Sequence, residues 1–182
     1  MKNKKLLLGI AWAWLTCLSA NAEVKLPAFF SDGMVMQQQT RANLWGTATP
    51  NAPVKITTSW DKQTYKTTAD AKGAWKLALS TPSAGGPYTI TFDDGKLTEI
   101  RDILMGELWL CSGQSNMEMP MKGFKNQPVE NSNTDVMNSR NPQLRLFTVK
   151  RTSSFTPKTD VVGTWQEAVP ATVREFSATA YY

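Results

Sequence analysis

The chain has 182 residues, with 20 Lys and Arg against 15 Asp and Glu, two cysteines and no histidine. That length suits one or two domains with a sizeable core. The missing imidazoles argue against a metal centre and no Lys/Arg cluster argues for nucleic acid, so neither a metal, a cofactor nor a nucleic-acid partner is expected.

The first stretch is not part of the fold. Lys2, Lys4 and Lys5 precede the apolar run Leu6 to Leu18, and Ala20-Asn21-Ala22 is a small-x-small cleavage signal. This is the pattern of a secretory signal peptide over residues 1–22, too short and too closely followed by a cleavage site to be a membrane anchor. The alternative of a lipidated Cys17 suits bulky Trp14 and Thr16 poorly. Removing the signal lowers the basic count from 20 to 17 against 15 acids, a formal charge of +2, so the basic character is mostly targeting. Cys111 is then the one remaining cysteine and has no internal disulfide partner. Following an apolar run, it reads as a buried, inert thiol. The expected product is secreted or periplasmic and free of the membrane.

Residues 23–103 read as an antiparallel β-sandwich domain. Val54 to Trp60, Trp75 to Leu79 and Tyr88 to Phe92 alternate apolar with polar residues, as half-buried strands do. Asp32-Gly33, Asp61-Lys62, Lys72-Gly73, Gly85-Gly86-Pro87 and Asp93-Asp94-Gly95 punctuate them as turns. Trp45, Trp60 and Trp75 suit either core packing or a sugar-stacking face, and the core is the commoner fate. Asp93-Asp94-Gly95 suits a hairpin turn better than a calcium loop.

The pattern changes between about residues 100 and 105. Leu108-Trp109-Leu110-Cys111 has the length and composition of a strand buried on both faces, and it stops at the turn residues Ser112-Gly113. A serine just past the end of such a strand lies where open α/β sheets bind ligands. If a helix begins at Ser115, its free N–H groups face an oxyanion. The α/β-hydrolase elbow Gly-x-Ser-x-Gly is not met, because Met117 stands in place of the second glycine. Further on, Asn133-Thr134-Asp135 caps a short helix, Leu144 to Val149 reads as a second strand, and Ala171 to Tyr182 has helical composition with Val173, Phe176 and Ala180 on one stripe. Strand, helix, strand, helix is the beginning of a doubly wound α/β sheet. Residues 104–182 are thus the second unit of an α+β two-domain chain.

The twelve residues Gly106-Glu107-Leu108-Trp109-Leu110-Cys111-Ser112-Gly113-Gln114-Ser115-Asn116-Met117 resemble the nucleophile block of the sialate O-acetylesterases, members of the SGNH hydrolases. Leu26-Pro27 through Val35 is similar to the opening of the β-rich module that precedes their catalytic domain. The resemblance implies a flavodoxin-like esterase domain with Ser115 as nucleophile and its own backbone N–H in the oxyanion hole. A second backbone donor near Ser177 is implied, where Arg174 to Ala178 begins a helix close to the site. It also implies an asparagine donor and an Asp-x-x-His pair, which have no counterpart here. The expectation is the N-terminal part of a carbohydrate O-acetylesterase domain, incomplete at its C-terminus, with an O-acetylated sugar such as sialic acid as substrate.

Serine acyl transfer needs a base, and the acids near Ser115 are poor candidates for that place. Glu118 lies three residues from Ser115, but an acid in a first helical turn more simply complements the helix dipole. Glu107 and Glu118 do not form the facing carboxylate pair of a glycosidase. Met117, Met119 and Met121 read as packing around the serine loop. Two other readings stand beside the esterase: a carbohydrate-binding β-module with an inert esterase remnant, and an adhesive exported protein. Cleavage after Ala22 is testable: N-terminal sequencing of exported material should begin at Glu23, and a retained Met1 on cytoplasmic protein would refute it.

Overall fold

Seven strands build the first half of the chain: β1 (Val35–Gln37), β2 (Arg41–Thr47), β3 (Pro53–Thr58), β4 (Thr64–Thr68), β5 (Ala74–Ser80), β6 (Gly85–Asp93) and β7 (Leu97–Gly106). They belong to a computed structural model that describes residues 23–182. The signal peptide expected over residues 1–22 lies outside the described residues. β3 shows why its sequence is a strand: Val54, Ile56 and Thr58 alternate inward while Pro53, Lys55 and Thr57 face water. Turns are made where the sequence supplies left-handed residues. Gly33 (φ +77), Gly73 (φ +83) and Gly95 (φ +111) take conformations that a side chain would strain.

β1-β7-β6-β3-β4 form one sheet and β2-β5 a second. The two close on a shared core in which Leu44, Val54, Ile56, Leu79, Ile90, Phe92 and Ile103 are fully buried. The sandwich is therefore present, but it is not wholly antiparallel. β1 runs parallel to β7, with Val35 opposite Leu104 and Gln37 opposite Gly106. Parallel neighbours need a long connection, and the whole of β2 to β6 supplies it. Gly85-Gly86-Pro87, expected as a turn, instead opens β6, and β7 continues to Gly106. Trp75 is a core residue packed against Phe92, whereas Trp45 and Trp60 lie half-buried at the core's margin.

The second half departs further from expectation. The elements are α1 (Ser115–Glu118), α2 (Ser132–Met137), β8 (Asn141–Phe147), β9 (Trp165–Ala168), α3 (Pro170–Val173) and α4 (Ala178–Tyr181). Residues 107–111 form no strand: Trp109 is 82% and Leu110 92% exposed. A strand buried on both faces needs a neighbour at each edge and a layer on each side, and among the described residues nothing pairs with this run. Cys111 is consequently exposed, not buried. β8 pairs antiparallel with β9, with Phe147 opposite Trp165, so no parallel doubly wound sheet begins among the described residues. The expected C-terminal helix is two short ones, because residues between them pair with another segment: Met121 N–H donates to Phe176 O and Lys122 N–H to Arg174 O. Met121, Leu146, Ala168, Val173 and Ala178 close a small second core.

Arg145 joins the halves. Its side chain is only 3% exposed, and NH2 donates to both carboxylate oxygens of Asp102 on β7, at 2.8 and 3.0 Å. NH1 lies 3.6 Å from Glu167 on β9. Asp102 presents its carboxylate from a left-handed position (φ +55), uncommon for a residue within a strand. Trp165 Nε1–H donates to Phe29 O nearby. The main core nevertheless lies wholly within residues 24–105. A fragment of residues 23–106 should therefore give a β-type circular dichroism spectrum and a cooperative melt. Phe92→Ala, which empties a fully buried position, should cost it about 3–5 kcal/mol. A helical spectrum, or no transition, would refute self-sufficient folding.

Candidate active site

Ser115 opens α1, a single turn reached through an extended Gln114 (φ −117, ψ −143). Met117 N–H donates to Gln114 O at 2.9 Å, which closes the turn. Met117 folds back over Gly113: a Cβ there would stand 2.9 Å from Met117 Cγ, so a larger residue would make the methionine shift. Ser115 itself is exposed, with no hydrogen-bond partner for its hydroxyl among the described residues. The sharp turn after an apolar run is thus present, but it hangs in solvent instead of capping a buried strand.

What holds the turn lies elsewhere in the sequence. Thr179 Oγ1–H donates to Asn116 O at 3.1 Å, and Ala178 N–H donates to Met119 O at 2.8 Å. Pro120 faces Ser177 in an antiparallel bridge. The two regions marked from sequence, around Ser115 and Ser177, are therefore brought together, with Ser177's bridge partner Pro120 five positions after Ser115. Ser177 Oγ caps α4 by accepting from Ala180 N–H at 3.3 Å. Met121 is fully buried and anchors the run to the second core, while Met117 and Met119 are half-buried, as packing around the loop requires.

The two acids are both engaged. Glu118 accepts from Arg151 NH1 at 2.6 Å, a contact across 33 residues that nothing in the local pattern signals. Glu107 accepts from Gln37 Nε2 at 3.0 Å and Gln38 Nε2 at 2.7 Å. Gln37's amide leads the two in holding the Glu107 carboxyl below its ordinary value of 4.5. Leu108 N–H donates to Gln37 Oε1 at 2.9 Å, so the end of β1 and the residue after it tether the root of the serine segment to the sandwich. No group of three or more His, Cys, Asp or Glu that could hold a metal occurs among the described residues. No helix among them is long and apolar enough to cross a membrane.

No protein-family model matches the chain. Over 154 residues it is 30% identical to the sialate O-acetylesterase of Pongo abelii, an alignment taking in 79% of this chain and 29% of that protein. Over 126 residues it is 32% identical to the Homo sapiens sialate O-acetylesterase, covering 64% of this chain and 24% of the relative. The chain belongs to the sialate O-acetylesterase family. A solved carbohydrate acetylesterase from Xanthomonas citri supports the same family: it superposes with a TM-score of 0.80 at 34% identity, over 87% of this chain and 35% of the other. The chain thus spans about a third of that structure and less of the curated sialate O-acetylesterases.

The Glu107 geometry has a measurable consequence. A carboxyl whose folded pKa is depressed adds stability above its unfolded value of 4.5, and that contribution is lost as pH falls through the lower folded value. Carbon-detected NMR titration should give a Glu107 midpoint below 4.5, moving back toward 4.5 in a Gln37→Ala/Gln38→Ala variant. An ordinary midpoint in the unaltered chain would show that the amides do not hold it.

Proposed function

We propose that the chain supplies the nucleophile segment of an exported carbohydrate O-acetylesterase of the SGNH type, with Ser115 attacking the acetyl carbonyl. The observation that carries this reading is the Ser115 turn, exposed and braced by residues 176–179, within a chain of the sialate O-acetylesterase family. Ser115 Oγ adds to the ester carbonyl, and its proton passes to a base. The oxyanion meets the backbone N–H of Ser115 and, on the other side of the turn, that of Ser177. Collapse expels the sugar hydroxyl and leaves an acetyl-serine, which water hydrolyses to acetate.

The base is not supplied by these residues. The sequence holds no histidine, and Glu118 is occupied by Arg151. Ser115 would act with a histidine from outside residues 1–182, and the substrate would be an O-acetylated sugar, sialic acid or another acetylated glycan. The reading as a non-catalytic sugar-binding module draws on a separate observation, the groove described below.

Acetate release from O-acetylated sialic acid and from acetylated xylan tests the assignment. The 182-residue chain by itself should be near background, because losing a triad member leaves on the order of 10³–10⁴ over water at most. Joined to a segment bearing an Asp-x-x-His block, it should release acetate, and Ser115→Ala should abolish that release. Ser115-dependent turnover by the short chain would reveal another base, and a completed enzyme indifferent to Ser115→Ala would overturn the nucleophile.

A further inference from the structure

A groove of about 560 Å³ lies between the sandwich and the segment linking β8 to β9. None of its lining residues comes from the Ser115 turn or from the segment that braces it. One wall is Trp45, Trp75, Lys25 and Lys76, from the β2–β5 sheet and the chain beside it, and Thr159 and Asp160 of the linking segment close the other. The volume falls in the range of small-molecule sites, which combine apolar walls with a few placed polar groups.

The groove is built by backbone constraints, not left by loose packing. Lys25 is fixed by two bonds with Thr47, N–H to O at 2.8 Å and O from N–H at 2.9 Å. Beside them, a Cβ on Gly46 would stand 2.4 Å from Lys25 O and 3.0 Å from Trp75 Cζ2, so only glycine leaves room for the indole at this point of the wall. Trp75 is 4% exposed, yet its Nε1–H is buried without a partner. Such an orphan donor is uncommon in a folded protein. The opposite wall is held by Trp45 Nε1–H donating to Thr159 O at 3.1 Å and Ala28 N–H donating to Asp160 Oδ1 at 2.7 Å.

Charge selects the occupant. Lys25 and Lys76 both line the groove and make no ion pair among the described residues, so its lining holds two lysines against one carboxylate. Its one carboxylate, Asp160, accepts through Oδ1 from Ala28 N–H and Val161 N–H at 2.7 Å each, which fixes it against the backbone. An aromatic wall takes the C–H face of a sugar ring, the Thr159 side of the groove offers polar partners to hydroxyls, and the ammonium groups take a carboxylate by charge-assisted hydrogen bonds.

We propose that this groove is a binding site for an acidic sugar, separate from Ser115, with Trp45 as the stacking surface and Lys25 and Lys76 as the carboxylate anchors. Its occupant would also touch Thr159 and Asp160, in the same linking segment whose Arg151 pairs with Glu118 beside Ser115. Ligand in the groove would therefore steady the segment that leads to the nucleophile turn.

The test is a titration of the 182-residue chain with sialyllactose, galacturonic acid and lactose, followed by NMR of the Trp45 indole N–H. The two acidic probes should saturate in the millimolar range, a free energy of about −4 kcal/mol, with lactose about tenfold weaker. Lys25→Gln/Lys76→Gln should reduce the acidic probes to the lactose level without lowering the melting temperature, and exposed Lys76→Gln alone should give part of that loss. Ser115→Ala should leave binding unchanged, so a failure here is distinguishable from a failure of the esterase reading, which acetate release judges. Absent binding in the unaltered chain, equal binding of lactose, or acidic binding unaffected by the lysine variants would each overturn the proposal.

Discussion

The buried guanidinium of Arg145 is the interaction on which the arrangement of this molecule depends. A cation withdrawn from water costs several kcal/mol unless it is paired, and the carboxylates that pair it come from two different parts of the fold. Asp102 belongs to the sandwich and Glu167 to the β8–β9 hairpin. Arg145 is carried by β8 of that hairpin, so removing Asp102 would strand the charge, and the hairpin is held against β7. Arg145 Nε is buried without a hydrogen-bond partner among the described residues, a cost that the two carboxylates offset. Trp165, two residues before Glu167, strengthens the same junction through Phe29 O and by packing its ring against Phe147.

The Ser115 segment depends on that seam indirectly. Ser115 sits on one turn of helix, too short to be stable by itself. Its support is the small core of Met121, Leu146, Ala168, Val173 and Ala178, to which β8 and β9 contribute one residue each. The antiparallel contact of residues 119–122 with 174–178 and the Arg151–Glu118 pair complete the support. The exposed pair adds little energy; its value is directional, since it ties the linking segment to the turn that bears the serine. From there Thr159 and Asp160 run back to the sandwich. The candidate nucleophile is thus placed by contacts from three separate stretches of chain.

The apolar run before it shows the opposite situation. Leu108, Trp109 and Leu110 have the composition of an interior strand but stand in water, at 50%, 82% and 92% exposure. Composition records what a segment is suited to pack against, not whether that partner is at hand. Only its root is held, through Glu107 and Leu108 to Gln37 and Gln38.

By itself the sequence determined the features whose cause is local. Strand alternation over 54–58, 75–79 and 88–92 and the left-handed glycines of the turns need only neighbouring residues. The twelve-residue block around Ser115 was equally legible, because a motif is a statement about consecutive residues. Tertiary structure alone decided what depends on distant partners. It aligned β1 parallel to β7, paired β8 antiparallel with β9, split the last helix, exposed Cys111, and occupied Glu118 with Arg151. Each of these follows from a hydrogen bond, an ion pair or a burial that only another part of the chain can grant or withhold, and no local pattern encodes which part will arrive.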